Sequence, residues 1–225
     1  MRRLAVPFDG APGAPLSLWL VSLGSLPAAA TLAELSPAER ARAERFRQDR
    51  DRRRYLASHA ALRQLLAQHL GESAAGLRFD EGRHGKPRLV DHPDCHFNLS
   101  HSGELALIGI GSSAEIGVDI ETLVPMPDAE ALARLHYTVA EQESLGSLSA
   151  AARDEGFLRL WTRKEACLKA LGTGLSLAPS TFDVGLAPGP VGVTIGGSAG
   201  RPGRLEVCDI PTGAAAVAAI AWLAA

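Results

Sequence analysis

The chain has 225 residues, 46% hydrophobic and 21% charged, with a formal net charge of −2, which is ordinary for a globular protein with room for one large domain or two small ones. That balance argues against wholesale nucleic-acid binding, and no stretch is long and apolar enough to span a bilayer. Three scattered cysteines without CxxC spacing fit a reducing, cytoplasmic setting better than a disulfide scaffold, and Pro7 and Asp9 spoil the N-terminus as a signal peptide.

In chain order, LSLWLVSLG (16–24) reads as a strand. Ser36, Pro37 and Glu39 form a helix-starting capping box. Helical spacing of Tyr55, Leu62, Leu65, Leu66 and His69 predicts that this helix runs on to a stop at Gly71. Eight arginines and four acids between Glu39 and Arg54 make a solvated, ion-paired face from which one or two arginines can reach an anion. RHGKPRL (83–89) is a turn, and CHFNLSHSGELALIGIG (95–111) reads as two strands around Ser102 and Gly103. EIGVDIE (115–121) is the next strand. Thr138 and Glu141 start a short helix. FLRLWTRKEACLKALG (157–172) is amphipathic, with Phe157, Leu160, Trp161, Leu168 and Leu171 on its apolar face and Gly172 past its end. A Gly/Pro-rich stretch (185–203) predicts loops and a hairpin, and 204–210 and 215–223 read as closing strands, although the apolar run 214–225 also suits a buried helix. The order predicts an α+β fold of two similar halves, residues 1–113 and 114–225.

The chemistry gathers in three segments. In IGVDIE, Asp119 and Glu121 are two apart on a strand, so both carboxylates point to the same face. Such a pair repels itself and needs a neutralising partner. Glu165 and Lys169 are four apart on a helix and share a face with Trp161. In isolation they could be a solvated ion pair of little consequence; on so apolar a helix they look more like part of a cleft. Three carboxylates and a lysine invite a hard divalent cation such as Mg²⁺, which takes oxygen ligands and leaves positions for substrate phosphates. The third segment, FNLSHSGE, places Ser100 and His101 on opposite faces of a strand, so they make no nucleophile–base pair, and no GxSxG elbow is present. His92, Cys95, His96 and His101 match no standard zinc spacing. GKP lacks the glycines of a P-loop. Only three of 23 basic residues are lysine (Lys86, Lys164 and Lys169), and all lie in segments singled out on other grounds.

GKP (85–87), FNLSHSG (97–103), IGVDIE (116–121) and WTRKEACLKALGTGL (161–175), in this order and spacing, resemble the Sfp-type 4′-phosphopantetheinyl transferases. The resemblance covers residues 36–175. It implies two α/β halves in one chain related by a pseudo-two-fold axis, with coenzyme A in the cleft between them. It also implies transfer of 4′-phosphopantetheine to a serine of an acyl, peptidyl or aryl carrier protein, with release of adenosine 3′,5′-bisphosphate. One chain holding both halves favours a monomer, and the pathway, secondary-metabolite (siderophore, polyketide or peptide) or fatty-acid synthesis, is left open. Carried over by position, Asp119, Glu121 and Glu165 hold Mg²⁺, and Glu165 and Lys169 are catalytic. Arg42, Lys86, Pro87, Ser100 and His101 contact coenzyme A. Glu39 stands where relatives place another basic residue, and Leu123 stands where some have a polar one.

Overall fold

The computed structural model describes residues 1–6, 16–82, 84–112, 114–196 and 203–224. In chain order its elements are strands β1 (Arg2–Leu4) and β2 (Ser17–Ser22), helices α1 (Ala29–Ala33), α2 (Pro37–Ala43) and α3 (Asp49–Leu70), and the short strands β3 (Phe79–Glu81) and β4 (Pro87–Leu89). Then come β5 (His96–Ser102), β6 (Leu105–Gly111), β7 (Ile116–Thr122), α4 (Ala129–His136), α5 (Val139–Gly146), α6 (Ala150–Leu171), β8 (Val191–Ile195), β9 (Gly203–Asp209) and β10 (Ala216–Leu223). Pro7, Asp9 and the tip of the predicted 185–203 hairpin lie outside the described residues. Its arms are β8 and the start of β9, paired antiparallel with Ile195 opposite Gly203. The run 214–225 contributes a strand, β10, and no helix. Among the described residues, no helix is long and apolar enough to cross a membrane.

The strands form two four-stranded antiparallel sheets, ordered β1-β2-β6-β5 and β7-β10-β9-β8, and β3 and β4 pair separately. Alternation along each strand gives both sheets two apolar faces. Leu18, Leu20 and Leu107 of the first sheet meet Ile116, Val118, Ile120 and Ile220 of the second. The outer face of the first sheet, with Val21, Ala106 and Ile108, takes Leu62, Leu65 and Leu66 of α3. The outer face of the second, with Val207, Ala219 and Ala221, takes Phe157, Leu160 and Leu168 of α6. The order through the molecule is helix, sheet, sheet, helix, an α+β fold as expected.

One expected helix is two. The capping box at Ser36 is present, with Glu39 N–H donating to Ser36 Oγ and Ser36 N–H to Glu39 Oε2, yet α2 ends at Ala43. Gln48 is extended (φ −107°, ψ 129°) and α3 starts after it. The break lets α2 fold back on α3. Glu39 then reaches Arg63 at 2.8 Å, and Arg63, only 1% exposed, also donates to the carbonyls of Ala74 and Leu77. A straight helix would separate Glu39 and Arg63 by many turns and leave a buried guanidinium unpaired.

Candidate functional site

Gly117 sets the site. A Cβ at this position of β7 would lie 2.1 Å from the Ala166 carbonyl oxygen and 2.3 Å from the Ala170 nitrogen. The backbone of α6 therefore lies directly on β7, and the residues flanking that contact meet. Lys169, on α6, donates to Asp119 Oδ1 at 2.5 Å and to Ser100 Oγ at 2.9 Å, and Ser100 Oγ donates to Asp119 Oδ1 at 2.7 Å. Three elements, β5, β7 and α6, thus converge on one carboxylate. Trp161, Glu165 and Lys169 are the half-buried positions of a stretch of α6 that is otherwise buried, so the three share one face of the helix.

Side chains join β5 to β7 in a ladder of period two. Asn98 Oδ1 accepts from the Val118 N–H at 2.9 Å, Ser100 binds Asp119, and Ser102 Oγ donates to Glu121 Oε2 at 2.6 Å while accepting from the Thr122 N–H at 3.1 Å. Sequence reasoning missed Asn98, Ser102 and Gly117. The N-x-S-x-S alternation at 98, 100 and 102 was the available signal, since it marks one uniformly polar face on a strand whose other face carries Phe97 and Leu99.

Asp119 is 3% exposed, and its Oδ2 is buried without a hydrogen-bond partner. Burial raises its pKa, outweighing the Lys169 ammonium and the hydrogen bonds. Burial also raises Glu121, with the Asp119 charge adding to it. Glu165 is raised by burial and then by the charges of Asp119 and Glu121. The three carboxylates therefore share one field and disfavour one another's ionisation. An orphaned buried carboxylate oxygen beside two further carboxylates suits a hard cation. Among the described residues, no three His, Cys, Asp or Glu side chains already sit in a metal-holding arrangement. The Lys169 ammonium occupies one Asp119 oxygen instead.

The remaining expected residues are spread around this centre. His101 is on the opposite face of β5 from Ser100. Partial burial and the positive charges of Lys169 and Arg54 hold its imidazole below its usual pKa. Arg42 is exposed on α2 and lies over the Tyr55 ring, 5.8 Å from its centroid. Tyr55 in turn stacks on His59 at 3.9 Å. His59, whose pKa burial depresses to about 4, feels the charges of both Arg42 and His101. Glu39 is engaged by Arg63 and Ser36, so its place in the helix is structural.

Lys86 stands apart. Its ammonium donates to Glu115 Oε2 (2.5 Å) and to the carbonyls of Ile116 (2.9 Å) and Ala170 (3.2 Å), at the opposite end of β7 from Glu121. Burial lowers its pKa. With Pro87, His96, Phe97, Glu115 and Gly172 it lines a cavity of about 620 Å³ that Asp119, Glu165 and Lys169 do not line. His92 turns to Glu72 (2.9 Å) and His96 to Glu115 (3.4 Å), away from each other. Lys164 is a core residue: fully buried, it pairs with Glu141 at 2.8 Å and donates to the Pro179 and Phe182 carbonyls.

Two family models divide the chain. Residues 115–218 match the 4′-phosphopantetheinyl transferase superfamily, and residues 25–113 match the 4′-phosphopantetheinyl transferase N-terminal family. A putative 4′-phosphopantetheinyl transferase of Synechocystis sp. is 42% identical over 144 residues, covering 63% of this chain and 58% of its own length. The 4′-phosphopantetheinyl transferase HetI of Nostoc sp. is 42% identical over 147 residues, 64% of this chain and 62% of its own. A 4′-phosphopantetheinyl transferase of Bacillus subtilis is 32% identical over 155 residues, 69% of this chain and 68% of its own. The match thus spans less than two thirds of each of the two cyanobacterial proteins.

Proposed function

Because this chain belongs to the 4′-phosphopantetheinyl transferase superfamily, we propose that it transfers 4′-phosphopantetheine from coenzyme A to a serine hydroxyl of an acyl, peptidyl or aryl carrier protein. The observation that carries this reading is the convergence of Asp119, Ser100 and Lys169 from three elements, with Glu121 and Glu165 in the same field. Asp119, Glu121 and Glu165 would hold Mg²⁺. When bound, that ion would neutralise pyrophosphate charge and stabilise the departing phosphate. The unpartnered Asp119 Oδ2 and the mutual repulsion of the three carboxylates support this assignment.

The acceptor serine oxygen attacks the pantetheine-side phosphorus, the bond to the bridging oxygen breaks, and adenosine 3′,5′-bisphosphate leaves. Phosphoryl transfer asks mainly for positioning and charge stabilisation. Glu165, half-buried one turn before Lys169 on α6, takes the serine proton directly or through a water. Lys169 offers its ammonium to the leaving oxygen with Ser100 beside it, and His101, on the opposite face of β5, would contact a coenzyme A phosphate from the other side of the strand. Arg42 reaches the nucleotide's outer phosphate, and Lys86 and Pro87 border its far end. Both halves lie in one chain, which supports action as a monomer, checked by a single 23.6 kDa species in light scattering; the three free cysteines support the cytoplasm.

The test is incubation with coenzyme A, Mg²⁺ and a panel of apo-carrier proteins, read by mass spectrometry. One added phosphopantetheine on a carrier serine is expected, and Asp119→Ala should abolish it while the protein stays folded. An unmodified panel, or near-normal turnover by Asp119→Ala, would overturn the reading.

A further inference from the structure

The two same-face carboxylates of β7 are held in the same way. Ser100 Oγ donates to Asp119 Oδ1 and Ser102 Oγ donates to Glu121 Oε2, at 2.7 and 2.6 Å. Each carboxylate has one oxygen fixed by a serine from the other sheet. In Asp119 the second oxygen is the buried, unpartnered one.

The polarity of Ser102 leaves little freedom. A hydroxyl has one proton and two lone pairs. An ionised carboxylate only accepts, so the proton goes to Glu121. The lone pairs face the Thr122 N–H at 3.1 Å and Thr122 Oγ1 at 3.3 Å. Thr122 N–H is rigid backbone, so the hydroxyl is anchored on the residue next to the carboxylate it orients. Gly103 keeps this anchor close: at φ +57° it turns the chain after Ser102, and a Cβ there would lie 3.0 Å from Thr122 Cγ2.

We infer that Ser102 is a positioning residue that sets the orientation of the Glu121 carboxylate and so presents its free oxygen toward the cation that Asp119, Glu121 and Glu165 hold. This rests on the cation role proposed above. Hydrogen-bond partners of ligating carboxylates govern metal affinity because they fix the ligand before the ion arrives.

The experiment titrates Mn²⁺ into the full chain without substrates and reads free ion by electron paramagnetic resonance. It compares wild type, Ser102→Ala, Ser102→Thr and Glu121→Gln, with melting temperatures measured alongside. Ser102→Ala should weaken Mn²⁺ binding on the order of 10-fold, the lower end of what loss of such a partner costs. Ser102→Thr, which keeps the hydroxyl, should recover most of the affinity. Should Ser102→Ala fail to fold, Ser102→Cys, similar in shape with a weak donor, takes its place. Wild-type affinity in folded Ser102→Ala, with Glu121→Gln weakened, would overturn the Ser102 inference and leave the cation reading standing. Folded Ser102→Thr as weak as Ser102→Ala would overturn it too. If wild type binds no Mn²⁺, or Glu121→Gln binds as tightly as wild type, the cation reading fails and the inference with it.

Discussion

Lys169 and Lys86 carry the same charge on unlike sites. The Lys169 ammonium has Asp119 and Ser100 as partners, and in the proposed reaction it faces the oxygen on which charge grows as the bond breaks. A contact stronger in the transition state than in the ground state lowers kcat when removed. Lys169→Ala should therefore cut kcat on the order of 10²-fold or more. Lys86 is tied to Glu115 and to two carbonyls at the join of β7 and α6. Lys86→Ala should lower the melting temperature and raise the KM for coenzyme A while largely keeping kcat. Steady-state kinetics and melting curves on both variants decide it, and the reverse pattern would show the roles exchanged. His59 adds a pH dependence. Its pKa is about 4 in the fold against an ordinary 6.5, so the unfolded chain takes up the proton first as pH falls. Its contribution to stability is full above pH 6.5 and is lost toward pH 4, with a slope of up to about 1.4 kcal/mol per pH unit in that window. His59→Gln should flatten the difference in urea midpoint between pH 7.5 and pH 5. An unchanged pH slope would mean that another group dominates acid unfolding.

At the scale of elements, the contact of α6 with β7 matters most. At Gly117 of β7 any side chain would drive the helix backbone away. Gly117→Ala should destabilise the protein by about 3 kcal/mol, the upper range for overpacking a core. What remains folded should transfer poorly, because Glu165 and Lys169 move with the helix. Gly146→Ala is the control: a Cβ there meets nothing within 4 Å, and it lies at the end of α5. Urea unfolding and turnover on both variants test this, and a Gly117→Ala protein as stable and active as the control would show that the helix seat is adaptable. Helix ends follow local rules more faithfully than helix lengths. Thr138 and Glu141 form their capping box, and Gly71 and Gly172 close α3 and α6 in the left-handed region at φ 71° and 65°. The break after Ala43 follows no strong breaker residue.

Across the whole molecule, the two halves share a unit. In the first, β2, α3, β5 and β6 follow in sequence and the strands lie in the order β2-β6-β5. In the second, β7, α6, β9 and β10 follow with β8 inserted, and the strands lie in the order β7-β10-β9. In each, a strand is followed by the long helix and then by two strands, the last of which pairs with the first. β1 and β8 are additions at opposite positions. Dividing the chain after residue 113, as we propose, gives one unit to each part. The segment after β7 leaves apolar side chains in solvent: Leu123 is 40% exposed, Val124 50% and Leu135 68%, whereas Met126 and Leu132 pack against the α6 core. We propose that the exposed members, next in sequence to Glu121, form the edge on which a carrier helix docks. Val124→Glu should raise the KM for the carrier several-fold and leave coenzyme A affinity alone. Unchanged carrier KM in that variant would remove Val124 from the docking surface.

Much of this was legible in the chain itself, because it depends only on local geometry. Period two puts Asp119 and Glu121 on one face, and a four-residue step puts Glu165 beside Lys169. Both hold in the structure because side-chain direction follows from backbone conformation within one element. What local geometry cannot supply is which faces meet. That Lys169 ends on Asp119, 50 positions away, and Lys86 on Ala170, 84 positions away, is settled by how the sheets and α6 stack. The same holds for Ser102 on Glu121 and Glu39 on Arg63. A polar residue read alone carries its chemistry but not its partner, and burial makes a partner obligatory without naming it. The tertiary structure named it, by laying the backbone of α6 on β7 at Gly117.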